Sequence, residues 1–157
     1  MKRLTHVDEK GRARMVDVSE KSSTLREAVA RGTVFMKKET FRLIQGKKIE
    51  KGDVLGVAQI AGIMAAKKTS EIIPMCHPLS ITSAHVEFLP QAKTHCIVIE
   101  ARVKTTGQTG VEMEALTAVA AAALTVYDMC KAVDRGMTIT DIMLIEKSGG
   151  KSGIFRR

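Results

Sequence analysis

From Ala115 to Cys130 the chain reads "ALTAVAAAALTVYDMC", a run of small and aliphatic residues with almost no polar face to turn toward water. It holds no glycine or proline, and alanine and leucine favour helix strongly. The pattern predicts a long helix from Glu112 to Asp134, closed by Arg135-Gly136. A surface helix needs one apolar stripe, with polar residues opposite. This helix is apolar nearly all round. A second stretch, "KGDVLGVAQIAGIMAAKKT", has the same character behind Asp53, which stands where an N-cap belongs. Two such helices can rest one side on a sheet, but their other side needs cover as well. In a chain of 157 residues that cover is most simply another subunit. An oligomer with closely packed Ala-rich helices is therefore expected.

The rest of the chain supplies the sheet. "REAVARGTVFM", Arg26 to Met36, mixes β-branched and small residues and reads as a strand. "KKETFRLIQG" has helical spacing at Phe41, Leu43 and Ile44, with Gly46 as C-cap. Pro74 and Pro78 bracket a loop. "AHVEFLP" and "HCIVIEARVKT" alternate as strands and form a hairpin across "PQAKT". "TTGQTG" is a loop, and "MTITDIMLIEK" is the last strand. The order is β-α-β-β-α-β, with the first helical region split in two. That is an α+β, ferredoxin-like split βαβ arrangement. Its antiparallel sheet carries apolar helices on one face and at subunit interfaces. No repeat or low-complexity linker divides the chain, so 1–157 reads as one domain. Residues 1–24 form a polar arm, with at most a short strand at Met15–Val18, and 147–157 form a Gly/Lys-rich tail.

Composition narrows the partners. The N-terminal "MKRLTHVDEKGRARMVDVSEK" lacks the apolar region of a signal peptide. Ala115 to Tyr127 falls short of the roughly 20 residues that cross a bilayer, so no membrane partner is expected. Cys76, Cys96 and Cys130 are odd in number and far apart, which suits reduced thiols in a cytoplasm. The net charge of +8 points to an anionic partner, either nucleic acid or a polyphosphate small molecule. Aromatic residues at 3% leave little for stacking on single-stranded bases. The cations also fall in scattered pairs, which solvated surface lysines explain equally well.

Three stretches carry candidate chemistry. In "IIPMCHPLS", His77 follows Cys76 in a loop held by two prolines. Adjacent residues rarely chelate one ion, and His6, His85 and His95 are isolated, so no metal site is expected. A structural loop histidine is the competing reading. In "TGVEMEAL", Glu112 and Glu114 open the long helix, where helix-dipole capping competes with function. Asp128 and Lys131 lie at i,i+3 on one helix face. The bland reading is a surface bridge worth a few tenths of a kcal/mol. In an apolar setting, burial would raise the Asp pKa and lower the Lys pKa against their mutual attraction, giving a pair able to exchange protons. The tail "EKSGGKSG" is not a Walker loop, since Ile145 stands where that motif requires glycine. Its backbone N–H groups beside Lys147 and Lys151 can still wrap a phosphate, and a flexible tail is the alternative. These residues alone describe a cytosolic oligomer that acts on, or binds, a phosphorylated metabolite.

Together the motifs say more. "KGDVLGVAQIAGIMAAKKTSEIIPMCHPL", "TTGQTGVEMEALTAVAAAALTVYDMCKAVD" and "LIEKSGGKSG" closely resemble the molybdenum cofactor biosynthesis protein C family, the cyclic pyranopterin monophosphate synthases. "HVDEKGRARMVDVSEK" is similar to that family's N-terminal segment, so the resemblance covers nearly the whole chain. It implies a lyase that takes 3′,8-cyclised 7,8-dihydro-GTP from an upstream radical enzyme. The lyase rebuilds the purine-ribose skeleton as a pyranopterin, closes a cyclic phosphate and releases pyrophosphate. It also implies a ferredoxin-like fold and a hexamer built from dimers, with active sites at the dimer interface and no resident cofactor. The sequence does not decide whether Mg²⁺ assists phosphate departure. By matching positions, Asp128, Lys131 and Lys51 take the catalytic roles. Met75, Cys76 and His77 match a substrate-contacting loop, and Glu112, Met113 and Glu114 a helix start facing the guanine-like edge. Lys147, Arg26 and Lys21, with Lys151, fit the triphosphate end. Gln59 departs from an arginine in the family pattern, and "GIFRR" replaces a more polar ending. A non-enzymatic basic domain binding RNA or a partner protein is the main alternative. A nucleoside triphosphate hydrolase is the second.

Overall fold

A computed structural model of the chain describes residues 7–8 and 10–157. Residues 1–6 and Glu9, which include His6 and the start of the polar arm, lie outside the described residues. The organising strand is β1, Thr24–Phe35. It is flanked on one side by β3, Cys96–Gly107, and on the other by β4, Thr138–Ser148, both antiparallel. β2, Ile81–Gln91, joins the far edge of β3, giving the order β2-β3-β1-β4. A two-residue strand β5, Phe155–Arg156, adds to β4. This is the expected α+β sheet, antiparallel and open. Between β1 and β2 lie three helices: α1, Lys38–Gln45; α2, Val54–Lys67; and α3, Thr69–Ile72. Between β3 and β4 lies α4, Glu112–Cys130.

Period-two alternation decides which sheet face is apolar. Ala28, Ala30 and Val34 of β1, paired with Val103, Ala101 and Ile97 of β3, are fully buried on the helix side. α4 lies on them through Ala115, Ala118, Val119 and Ala122, also fully buried. Gly32 lets the helix come this close: a Cβ there would stand 2.7 Å from the Val119 side chain. α2 meets α4 in the same manner, since a Cβ at Gly62 would stand 3.0 Å from the Ala118 carbonyl oxygen. The opposite sheet face is mixed, with Leu25, Val29 and Phe35 of β1 among charged pairs. Glu27 pairs with Arg102 and Lys104, and Arg31 with Glu100.

The long helix ends at Cys130, short of the expected Asp134. Asp134 is spent elsewhere. Its buried carboxylate accepts hydrogen bonds from the backbone N–H of Lys37 (2.8 Å) and Gly136 (3.0 Å) and from Thr40 Oγ1 (3.2 Å). It thereby ties the chain leaving α4 to the start of α1. Met15–Val18 forms no strand; Val16 meets the loop at His77. The strands flanking the hairpin reach Gln91 and Cys96, so the turn is shorter than "PQAKT" suggested.

The outer side of the helical layer is apolar, as the all-round pattern required. Val57, Ile60 and Met64 of α2 and Met113 and Leu124 of α4 are exposed. α4 has 19 residues and, by length and composition, is long and apolar enough to cross a membrane. Its inner side is spent on the sheet and α2.

Candidate active site

The start of α4 and the Pro-bracketed loop face each other across a cavity of about 400 Å³. Met75, Cys76 and His77 line it from the loop, and Glu112, Met113 and Glu114 from the helix. Lys21 and the N-terminal residues Val16 and Val18 close another side. His77 Nε2 lies 2.7 Å from the Val16 carbonyl oxygen. A carbonyl only accepts, so Nε2 carries the hydrogen of this bond. The arm's alternating Val16-Asp17-Val18 resembles a strand in sequence, which is why these two wall residues were missed.

Both carboxylates stand in the first turn of α4, where the helix dipole favours them, and the N-cap residue, Val111, makes no side-chain capping bond. Glu112 Oε1 accepts from Lys147 Nζ at 2.9 Å. Glu114 is only 4% exposed. Burial pushes its carboxyl pKa up, and the nearby Glu112 charge adds to that. Burial, then the Glu114 charge, likewise raises the Cys76 thiol. Cys76 therefore lines the cavity as a neutral thiol, a poor nucleophile.

A second cavity, about 460 Å³, adjoins the first through Lys21. Arg26, Lys151, Ser152 and Thr24 line it. The tail bends around it at Gly149 and Gly150, whose φ of +92° and +74° suit glycine. β5 then ties the tail back to β4. Arg26 Nε donates to the Gly107 carbonyl (2.8 Å), and Lys147 Nζ also donates to Ser152 Oγ (3.1 Å). Among the described residues, the buried Thr24 Oγ1 has no hydrogen-bond partner. The two cavities gather the sequence candidates Lys21, Arg26, Met75, Cys76, His77, Glu112, Met113, Glu114 and Lys151, with Lys147 bridging them through Glu112 and Ser152.

The acid–base candidates stand apart, at the other end of α4. Asp128 Oδ1 holds Lys131 Nζ at 2.6 Å, and Oδ2 holds Lys51 Nζ at 3.3 Å. Lys51 also donates to the Asp128 carbonyl at 2.9 Å, a favourable place for a cation near a helix C-terminus. Ile49, buried two residues earlier, anchors the Lys51 turn. In the single chain this cluster faces solvent: the side chains of Asp128 and Lys131 are 58% and 51% exposed. The burial-driven shifts expected from sequence are reversed. Hydrogen bonds from Lys131 and Lys51 lower the Asp128 pKa, and the bond to Asp128 raises that of Lys131. From Glu112 to Asp128 the helix rises roughly 24 Å. One chain thus does not bring the two sets of candidates together.

Comparison with known proteins adds a different kind of observation. The MoaC family profile matches residues 15–150. A protein from Pelotomaculum thermopropionicum is 63% identical over all of this chain and 92% of its own length. One from Thermoanaerobacter pseudethanolicus is 64% identical over 98% of each chain. One from Desulfitobacterium hafniense is 64% identical over 98% of this chain and 94% of its own. All three carry the name cyclic pyranopterin monophosphate synthase. A profile that covers the His77 loop and the whole of α4 and β4, with relatives this similar over the full length, places the chain in the MoaC family.

Proposed function

We propose that this chain is a cyclic pyranopterin monophosphate synthase of molybdenum cofactor biosynthesis, a lyase that converts 3′,8-cyclised 7,8-dihydro-GTP to cyclic pyranopterin monophosphate and releases pyrophosphate. One observation carries the reading. In a chain 63% identical to a protein of that name, a carboxylate-bearing cavity and a cation-lined one stand side by side and have Lys21 as a common wall. The first suits a donor-rich purine edge, with Glu112 and Glu114 as acceptors. The second suits a triphosphate, with Lys21, Arg26 and Lys151 as countercharges. Lys147 moves from Glu112 to phosphate when substrate arrives.

The acid–base step falls to Asp128 and Lys131, with Lys51. The Asp128 carboxylate aims both ammonium groups. Lys131 gives a proton to a ring atom, and Asp128 steers or returns it. The separation along α4 makes a second copy part of the site. Two chains that pair antiparallel through the exposed α2–α4 face set the Lys131 end of one beside the His77 end of the other. Such an isologous pairing gives two equal sites per dimer and covers Leu124, Ile60 and Met64. Three dimers complete a hexamer. The cytoplasm suits the three free cysteines, and an upstream radical enzyme supplies the substrate.

The direct test is incubation with the cyclised dihydro-GTP, then oxidation and detection of a fluorescent pterin. A fluorescent product with one pyrophosphate per turnover supports the proposal. Intact precursor after prolonged incubation with the assembled protein refutes it.

A further inference from the structure

A cationic hollow lies outside both cavities and outside the Lys51–Asp128–Lys131 cluster. It measures about 560 Å³ and is lined by Lys38, Glu39, Arg42, Leu43, Gly46 and Lys48. Lys38 and Lys48, one from each of two lysine pairs that the sequence scatters, meet here because of how α1 ends. Lys48 N–H bonds back to the Leu43 carbonyl (2.9 Å) and Lys47 N–H to that of Ile44 (3.1 Å). That is a Schellman closure. It folds Lys48 back over the last turn, where a Cβ at Gly46 would sit 3.6 Å from its side chain. The inner face of α1 is spent on the core through Phe41 and Ile44, so the cations face outward. Among the described residues, Lys38, Arg42 and Lys48 form no ion pair, whereas the neighbouring Lys47 is held by Asp53 at 3.3 Å.

We propose that this hollow docks an acidic segment of a partner protein, its carboxylates on Lys38, Arg42 and Lys48 and one apolar side chain on Leu43. Charge complementarity selects such a partner and speeds encounter. The aliphatic stems of lysine and arginine add apolar wall while their charged heads meet carboxylates. Nucleic acid fits less well. The one aromatic residue of α1, Phe41, points inward, so no ring is offered for base stacking. Glu39 on the rim repels an anion at one position and fixes how the segment lies. The turn from Ile49 to Gly52 follows Lys48 and carries Lys51 to Asp128. The inference stands independently of the reaction proposed above.

The probe is a short fluorescein-labelled peptide of aspartates and glutamates around a central leucine. Its binding to the full-length assembled protein is followed by fluorescence anisotropy at about 0.1 M salt. Lys38→Glu/Arg42→Glu/Lys48→Glu is expected to weaken binding at least about tenfold, with pterin formation and circular dichroism unchanged. The matched reversal Lys67→Glu/Lys93→Glu/Arg157→Glu, at exposed sites elsewhere, is expected to bind within about twofold of wild type. A serine in place of the peptide's leucine is expected to weaken binding further. Wild-type affinity in the hollow variant overturns the proposal. Equal losses in both variants do so too, since they mean only general attraction to a basic chain. Tighter binding of a single-stranded RNA of equal charge, lost in the same variant, overturns it in favour of nucleic acid. Should charge reversal disturb α1, the Lys38→Gln/Arg42→Gln/Lys48→Gln variant gives the same decision.

Discussion

Asp128 holds two ammonium groups with one carboxylate, and this sets its pH window. Its pKa is lowered by Lys131 and Lys51, so its bridges are lost only as pH falls through that lowered value. The Lys131 pKa is raised, so its bond is lost only as pH rises through the raised one. Between the two limits Lys131 stays a charged proton donor. Lys131→Ala should lose about 10²–10⁴-fold in turnover while still assembling. Lys131→Arg should not restore it, because a guanidinium does not release its proton near neutral pH. Steady-state pyrophosphate release measures both. Glu114 runs the other way. Its raised pKa means the folded chain holds a proton that the unfolded chain has already lost. Stability of the ligand-free protein should therefore fall as pH climbs from the ordinary carboxylate range through the raised value. Glu114→Gln should flatten that decline in thermal melts taken upward from the ordinary carboxylate range and raise KM for the precursor. A substitution that stabilises the empty protein and weakens substrate binding marks a residue kept for function.

At the scale of the element, α1 ends with Lys47 in the left-handed region at φ +52°. Only glycine adopts that conformation freely. Lys47→Gly should stabilise the protein by about 1 kcal/mol, read as a higher urea midpoint at an unchanged slope. The sequence placed Gly46 at this cap, and the structure has it there with φ −82°, one residue before the left-handed position. The agreement at this cap shows what a sequence carries. Asp53 was legible as an N-cap because its bond to the Gly56 N–H is local, three residues away. Asp134 was not, because its partners Lys37 and Thr40 are remote in sequence and only the fold brings them near. The same holds for β5, two residues long, which exists by pairing with Glu146 and Lys147. The apolar helices and alternating strands were legible because each buries its own periodic face. At the site, the loop residues Met75–His77 and the helix start Glu112–Glu114 were singled out as separate segments, and their meeting across one cavity depends on α4 crossing β1 at Gly32. Gln59, where the family pattern has arginine, donates to the Val86 carbonyl at 2.8 Å and joins α2 to β2, away from both cavities.

For the whole molecule, the exposed Ile60, Met64 and Leu124 and the division of candidates along α4 point to the same proposed pairing. Leu124→Glu, with its side chain 61% exposed in the single chain, should leave the fold intact and shift the protein to monomers in light scattering. Subunit mixing tests the shared site more sharply. His77→Ala and Lys131→Ala chains, each inactive alone, should regain about a quarter of wild-type activity when dissociated and reassembled together, since half the random dimers then hold one intact site. Failure to complement in demonstrably mixed dimers would place both residues in one chain's site. On the proposed pairing, α4 is a spacer that keeps a chain's two half-sites out of each other's reach. Turnover then depends on chain concentration. Specific activity drops on dilution although each chain stays folded, and refolding shows a lag that shortens with protein concentration. A newly made chain is inert until it meets its twin.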